Sequence, residues 1–287
     1  MLARRVAVIN EKGGSTKTTL VSTIGSYLAL HRGRRVLAID MDPQGQLGKV
    51  LGVETRARRR SAIDLLLDSV LGDASSLDYS YENAADPALR LASTLPIATT
   101  RIPQLDVITA NKSLGLFPIL EADDADPTGR LNRTLDSAPE LETYDFILFD
   151  APPSFGPLTL NILRAATEIV IPVPLTYLAL DGCAELVRTI ATVRDRYDHP
   201  DLRISMIVPT LYRRTRLANE ILDRLKRRFR KEIAHTVVGY HVKIDEAQSR
   251  GLSIFEYAPK DRAASVMAEL AEELELRGKP GRDGSPA

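Results

Sequence analysis

Two lysines separated by a glycine pair and two hydroxyl residues dominate the start of this chain: Lys12-Gly13-Gly14-Ser15-Thr16-Lys17, followed by Thr18-Thr19. The segment follows the apolar run Val6–Ile9 and opens an amphipathic stretch near Lys17, so a strand, a glycine-containing loop and a helix are expected in that order. Such a unit holds phosphates, because backbone N–H groups and the positive helix end face the anion while a lysine reaches its terminal oxygens. On this reading the N–H groups of Gly13, Gly14, Ser15, Thr16, Lys17, Thr18 and Thr19 form the cradle. Lys17 neutralises the terminal phosphates and the Thr18 hydroxyl ligates Mg²⁺. The common phosphate-loop pattern has glycines where Glu11 and Thr16 stand here, and Lys12 is an addition to it.

Carboxylates occur where that chemistry needs them. Asp150 ends the apolar run Phe146–Phe149, so its side chain projects from a buried strand tip, the place of a Mg²⁺-directing acid. Asp40 and Asp42 end the run Val36–Ile39 and precede Pro43-Gln44-Gly45. Two like charges so close are costly without a cation or water between them. One can direct metal-bound water while the other orients an attacking water.

The elements that position these residues are readable as a series. Apolar, β-rich runs at Val6–Ile9, Val36–Ile39, Leu105–Ile108, Phe146–Phe149, Glu168–Val173, Ile204–Val208 and Thr236–Val238 alternate with helix-like stretches. Continuous apolar strands alternating with helices imply an α/β fold, a mostly parallel twisted sheet with helices on both faces. Ligands bind such sheets beyond the carboxyl ends of the strands, where the lysine loop and the aspartates fall. Ser61–Leu71 is expected as a short helix, residues 73–103 as an irregular surface excursion, and residues 278–287 as a disordered tail. Residues 1–277 then form a single domain.

Composition narrows the classes. The 38 basic residues balance 38 acidic ones, so binding to nucleic acid must come from local patches rather than net charge. One cysteine, Cys183, excludes a disulfide framework or Cys-rich metal site within one chain. No run approaches the roughly 20 apolar residues of a membrane span, and the opening residues do not form a signal peptide. A cytoplasmic protein is expected.

With these residues in view, the chain resembles the ParA/MinD group of deviant Walker A ATPases. Lys12–Thr19 fits K-G-G-x-x-K-[TS], and Asp40-Met41-Asp42-Pro43-Gln44-Gly45 looks like the D-x-D-P-Q-G element. Tyr144–Ser154 is similar to the Walker B region. Tyr177–Gly182 resembles Y-F-A-L-E-G, and Thr215-Arg216-Leu217 and Glu246–Gly251 match later landmarks. The resemblance implies a P-loop NTPase architecture and a Mg²⁺-dependent ATPase, with ATP and Mg²⁺ as cofactors. Lys12, Lys17 and Asp42 are its catalytic residues, and Thr18, Asp40 and Asp150 serve the metal. It also implies that Lys12 is a signature lysine, crossing the face of an ATP-bound sandwich homodimer to the other subunit's phosphates. Two departures stand out: Thr16 occupies a position usually glycine, and Val237–Lys243 replaces V-I-P-R-N-V-R, which leaves the adenine contacts unassigned.

The resemblance further implies non-specific DNA binding, a nucleoid location, partition or positioning of DNA or another large cargo, and a ParB-like or adaptor protein that stimulates hydrolysis. From Thr215 to Ile233, Leu217, Ile221, Leu225 and Phe229 share one helical face. Arg224, Lys226, Arg227, Arg228, Arg230 and Lys231 cover much of the rest, which suits phosphate-backbone contact. Lys243 and Arg250 are read as extensions of this patch, and Arg56–Arg60 is a further basic cluster. The alternatives are a MinD-like membrane-associated regulator and a non-hydrolysing nucleotide-binding scaffold. Against membrane attachment, the C-terminal helix Asp261–Arg277 is acidic at Glu269, Glu272, Glu273 and Glu275.

Overall fold

The computed structural model describes residues 3–55, 60–67, 95–120, 125–177 and 179–278. In chain order its elements are β1 (Arg4–Val8), α1 (Lys17–Arg32), β2 (Val36–Asp40), α2 (Gln46–Val50), β3 (Ala98–Thr99), β4 (Leu105–Ile108), α3 (Phe117–Leu120) and α4 (Arg130–Asp136). They continue with β5 (Phe146–Asp150), α5 (Pro157–Ala165), β6 (Glu168–Pro174), α6 (Ala179–Arg196), β7 (Arg203–Thr210), α7 (Arg216–Arg228), α8 (Val242–Ser249), α9 (Ile254–Tyr257) and α10 (Arg262–Arg277).

The seven strands form one sheet in the order β3-β4-β2-β5-β1-β6-β7, parallel throughout except for the two-residue β3. The expected mostly parallel α/β architecture is therefore present. β1 lies between β5 and β6, so the loop after it emerges at the middle of the sheet. Side-chain alternation sorts the core into two layers. Ala7, Ile9, Leu37 and Ile39 face α4 to α7, while Val6, Val8, Val36 and Ala38 face α1, α8, α9 and α10.

Helix α1 departs from the amphipathic expectation. Leu20 through Ala29 are all buried, because α10 covers the side of α1 that the sheet leaves open. Its buried serines bond within the helix: Ser22 donates to Thr19 O at 3.1 Å and Ser26 to Ser22 O at 2.7 Å. At the far end Gly33, at φ 62°, terminates the helix.

Three other expectations meet the structure differently. Ser61–Leu71 is a short 3₁₀ turn, Ala62–Leu65, as far as Leu67, and Val70 and Leu71 lie outside the described residues. Thr236–Val238 is not a regular strand. The segment from Glu232 to Gly239 runs beside β7 with isolated pairings, Ile207 with Ile233 and Tyr212 with Gly239. Finally, α7 ends at Arg228, and Thr215 caps it by accepting from Ala218 N at 3.2 Å. The Arg56–Arg59 part of the basic cluster, residues 73–94 of the excursion and residues 279–287 of the tail also lie outside the described residues.

Candidate functional site

The loop between β1 and α1 carries its chemistry on backbone geometry. Gly14 and Thr16 both adopt left-handed conformations, at φ 70° each. For glycine this costs nothing, whereas a β-branched residue there is strained. The chain thus builds with threonine a bend at which the family pattern uses glycine. Lys17 follows as the first residue of α1 and is only 7% exposed. Burial pushes its ammonium below the usual lysine range, while the charges of Asp150 and Asp42 pull the other way.

Across from the loop, the ends of β2 and β5 bring the aspartates together. Asp40 and Asp150 are register partners on these neighbouring strands. Both are buried. Burial, opposed by the Thr18 hydroxyl and the Lys17 charge, pushes the Asp150 carboxyl up to about 7. Burial and then the Asp150 charge push Asp40 well above the ordinary range. Each oxygen of Asp40 accepts a backbone N–H, from Asp42 at 3.1 Å and from Leu47 at 3.0 Å. Asp40 thereby braces the loop that carries Asp42 into the cleft.

Thr18 Oγ1 donates to Asp150 Oδ2 at 2.6 Å. The other oxygen, Asp150 Oδ1, is buried with no hydrogen-bond partner among the described residues, as is Ser15 Oγ. An orphaned buried carboxylate oxygen beside a threonine hydroxyl suits a hard divalent cation. Among the described residues no three His, Cys, Asp or Glu side chains form a metal cage. A cation here would accordingly take much of its shell from phosphate and water oxygens, as Mg²⁺ does.

The cleft between these parts has a volume of about 560 Å³, within the range of small-molecule sites. Residues 13–19, Asp42, Gln44, Gln46 and Pro153 line it together with Leu211, Arg213, Tyr240 and Asp245. Tyr240 is 51% exposed. Its hydroxyl donates to Asp245 Oδ2 at 2.9 Å, and the Arg213 guanidinium lies 5.8 Å from its ring centre. Sequence reading did not assign these side chains. Their signal was position, since Leu211–Arg213 directly follow β7 and ligands collect at strand carboxyl ends. Gln248 of α8, part of the Glu246–Gly251 landmark but given no role there, donates to Thr19 Oγ1 at 3.2 Å and ties α8 to the start of α1.

Lys12 behaves differently from Lys17. It is exposed, does not line the cleft, and donates from Nζ to Thr176 Oγ1 at 3.2 Å on the turn after β6.

The candidate DNA residues fall into two groups. Arg224, Arg227 and Arg228 are exposed on α7, with Arg230 and Lys231 exposed in the turn beyond it. Lys243 and Arg250 sit at α8, which packs on the opposite face of the sheet from α7. There Lys243 pairs with Glu246 at 2.8 Å, and Arg250 donates to Tyr257 Oη at 3.1 Å. They therefore form a separate cluster rather than a continuation of the α7 face.

Known proteins place this architecture. A family model described as an AAA domain matches residues 3–204. The sporulation initiation inhibitor protein Soj of Bacillus subtilis is 34% identical over 278 residues, spanning 96% of this chain and 100% of its own. The chromosome-partitioning ATPase Soj of Thermus thermophilus is 35% identical over 275 residues, 96% of each chain. Among solved structures, cobyrinic acid a,c-diamide synthase from Mycobacterium smegmatis with bound ATP analogue and magnesium superposes with a TM-score of 0.76. It has 29% identity over 98% of this chain and 97% of its own. Together with the lysine loop and its facing aspartates, these likenesses establish that the chain belongs to the ParA/MinD family of P-loop ATPases.

Proposed function

We propose that the protein is an ATP-dependent dimer switch that hydrolyses ATP slowly, binds DNA without sequence preference, and partitions or positions DNA or another large cargo on the nucleoid. The single observation that carries this reading is the division of labour between the two lysines. Lys17 is buried in its own cleft, while Lys12 is exposed outside it. A lysine that leaves its own phosphates unattended is suited to serve those of a second copy facing it.

Within the cleft, the triphosphate would lie along residues 13–19 against Lys17, with Thr18 and Asp150 holding Mg²⁺ and Asp40 directing water bound to it. That ion would neutralise the charge developing on the transferred phosphoryl group. Asp40 fixes the loop from which Asp42 orients the attacking water. The Tyr240 ring and the Arg213 guanidinium, which also line the cleft, offer the base a flat surface. Loss of the γ-phosphate removes the charge that joins two subunits, so hydrolysis ends the association.

The exposed arginines of α7 supply a phosphate-binding face that dimerisation would double. A ParB-like or adaptor protein is the proposed stimulator of hydrolysis. The membrane alternative gains no support, because the outer face of α10 presents Glu269 and Glu272. The decisive experiment is sedimentation of wild type and Lys12→Ala with ATP and Mg²⁺. Wild type is expected to dimerise and Lys12→Ala to stay monomeric; identical behaviour of the two would sink the reading. Liposome co-sedimentation should show no ATP-dependent pelleting. Hydrolysis by Asp42→Ala equal to wild type would remove Asp42 from the mechanism.

A further inference from the structure

We propose that Asn10 and Thr176 are positioning residues that hold Lys12 out of its own cleft and present it outward. This inference rests on the dimer reading above. Three hydrogen bonds run from β6 through the loop to the turn that precedes α6. Asn10 Nδ2 donates to Pro172 O at 2.6 Å, Asn10 Oδ1 accepts from Lys12 N at 2.8 Å, and Lys12 Nζ donates to Thr176 Oγ1 at 3.2 Å. The first two fix the backbone at Lys12 to the neighbouring strand. The third fixes the tip of its side chain on the turn that follows that strand.

The arrangement decides between two uses of one cation. Gly13 and Gly14 follow Lys12 immediately and line the cleft, so the chain itself does not prevent the ammonium from folding back onto phosphates held there. What opposes that motion is the Asn10 clamp and the Thr176 hydroxyl. A hydroxyl is a suitable holder. Its bond to an ammonium is weaker than the charge-assisted bond that a phosphate offers, so the lysine is released when a partner's nucleotide arrives. The single subunit, meanwhile, keeps an under-neutralised triphosphate and a reason to dimerise.

Thr176→Val keeps the shape of the side chain and removes the acceptor. Freed, Lys12 reaches the phosphates of its own subunit. At concentrations where the protein is monomeric, affinity for a fluorescent ATP analogue should rise about 3- to 10-fold, the value of one hydrogen bond. The ATP-induced dimer fraction should fall in parallel. The double variant Lys12→Ala/Thr176→Val should lose the gain in affinity, which a merely structural role for Thr176 would not produce. Asn10→Ala, checked for an unchanged far-ultraviolet spectrum, should shift affinity and dimerisation in the same directions. The proposal is overturned if Thr176→Val binds and dimerises as wild type does, or if its gain persists without Lys12. Failure of wild type to dimerise with ATP would instead remove the dimer reading, a result separable from the monomer affinities.

Discussion

Asp40 and Asp150 stand opposite each other on adjacent parallel strands, and both are buried. Their closeness makes the nucleotide-free site electrostatically uncomfortable, and burial already pushes the Asp150 carboxyl up to about 7. Asp150→Asn should relieve this. The expected result is a higher thermal midpoint for the nucleotide-free protein at pH 8, together with loss of Mg²⁺-dependent hydrolysis, measured by calorimetry and phosphate release. A lower midpoint would show that the Thr18 bond outweighs the buried charge.

Thr16 offers a second test through the backbone. A β-branched residue in the left-handed region costs about 1–2 kcal/mol, and glycine recovers most of that less its own entropy. Thr16→Gly should stabilise the fold by about 0.5–1 kcal/mol, read from the urea midpoint with an unchanged denaturant slope. Destabilisation would mean that the threonine side chain contributes more than its conformation costs.

In the proposed function the base stacks on Tyr240. Loss of an aromatic stacking surface typically costs about 1–3 kcal/mol per base, or roughly ten-fold or more in affinity. Tyr240→Ala should weaken ATP binding by that order in titration calorimetry. Tyr240→Phe removes only the bond to Asp245 and should stay within about three-fold of wild type. Equal affinity for all three proteins would place the base elsewhere.

If α7 carries the proposed DNA binding, removing Arg224 and Arg227 together should lower the log–log salt slope of that binding in the presence of ATP by roughly 0.9 for each phosphate that is no longer neutralised. Replacing Lys243 and Arg250 tests the separate cluster on the other face of the sheet. If only that pair changes the slope, α7 is not the DNA surface.

Acid stability should depend on Glu273 and Glu275. Burial disfavours their charge, yet hydrogen bonds win and hold both carboxyls below the usual 4.5. Glu273 accepts from the His235 and Thr236 backbone and from Arg277, and Glu275 from Arg34 and Arg32. A carboxyl depressed by folding stabilises above its unfolded pKa, and that stability fades as pH falls through its folded value. The stability of wild type should therefore drop below about pH 4.5. Glu275→Gln should lower the plateau at pH 7 and flatten this acid limb.

The strands around the lysine loop were legible because buried parallel strands read as unbroken apolar runs, and Asp40 and Asp150 mark where two of those runs stop. The outer segments were not. Ala98–Thr99 is too short to show a period, and Glu232–Gly239 takes its extended path from tertiary contacts with β7. Amphipathicity failed for α1 because α10 buries its outer side, a fact stored far away in sequence. Likewise, the spacing of Lys12 revealed its presence but not its direction, which is set by Asn10 and by Thr176, 164 residues away.

Arg277 carries a consequence for how the chain behaves outside its own fold. Its guanidinium gathers the carbonyls of Ser205, Lys231, Glu232 and Ile233 at 2.6–3.1 Å, pinning the start of the segment that runs along β7. β7 is the last strand of the sheet, and a bare last strand invites pairing with other chains. The irregular segment occupies those backbone groups while offering no regular ladder to extend. With Glu273, which accepts from the His235 and Thr236 backbone, Arg277 holds this cover in place from the end of α10, and truncation just before Arg277 should loosen it and raise the tendency of that edge to pair with other chains.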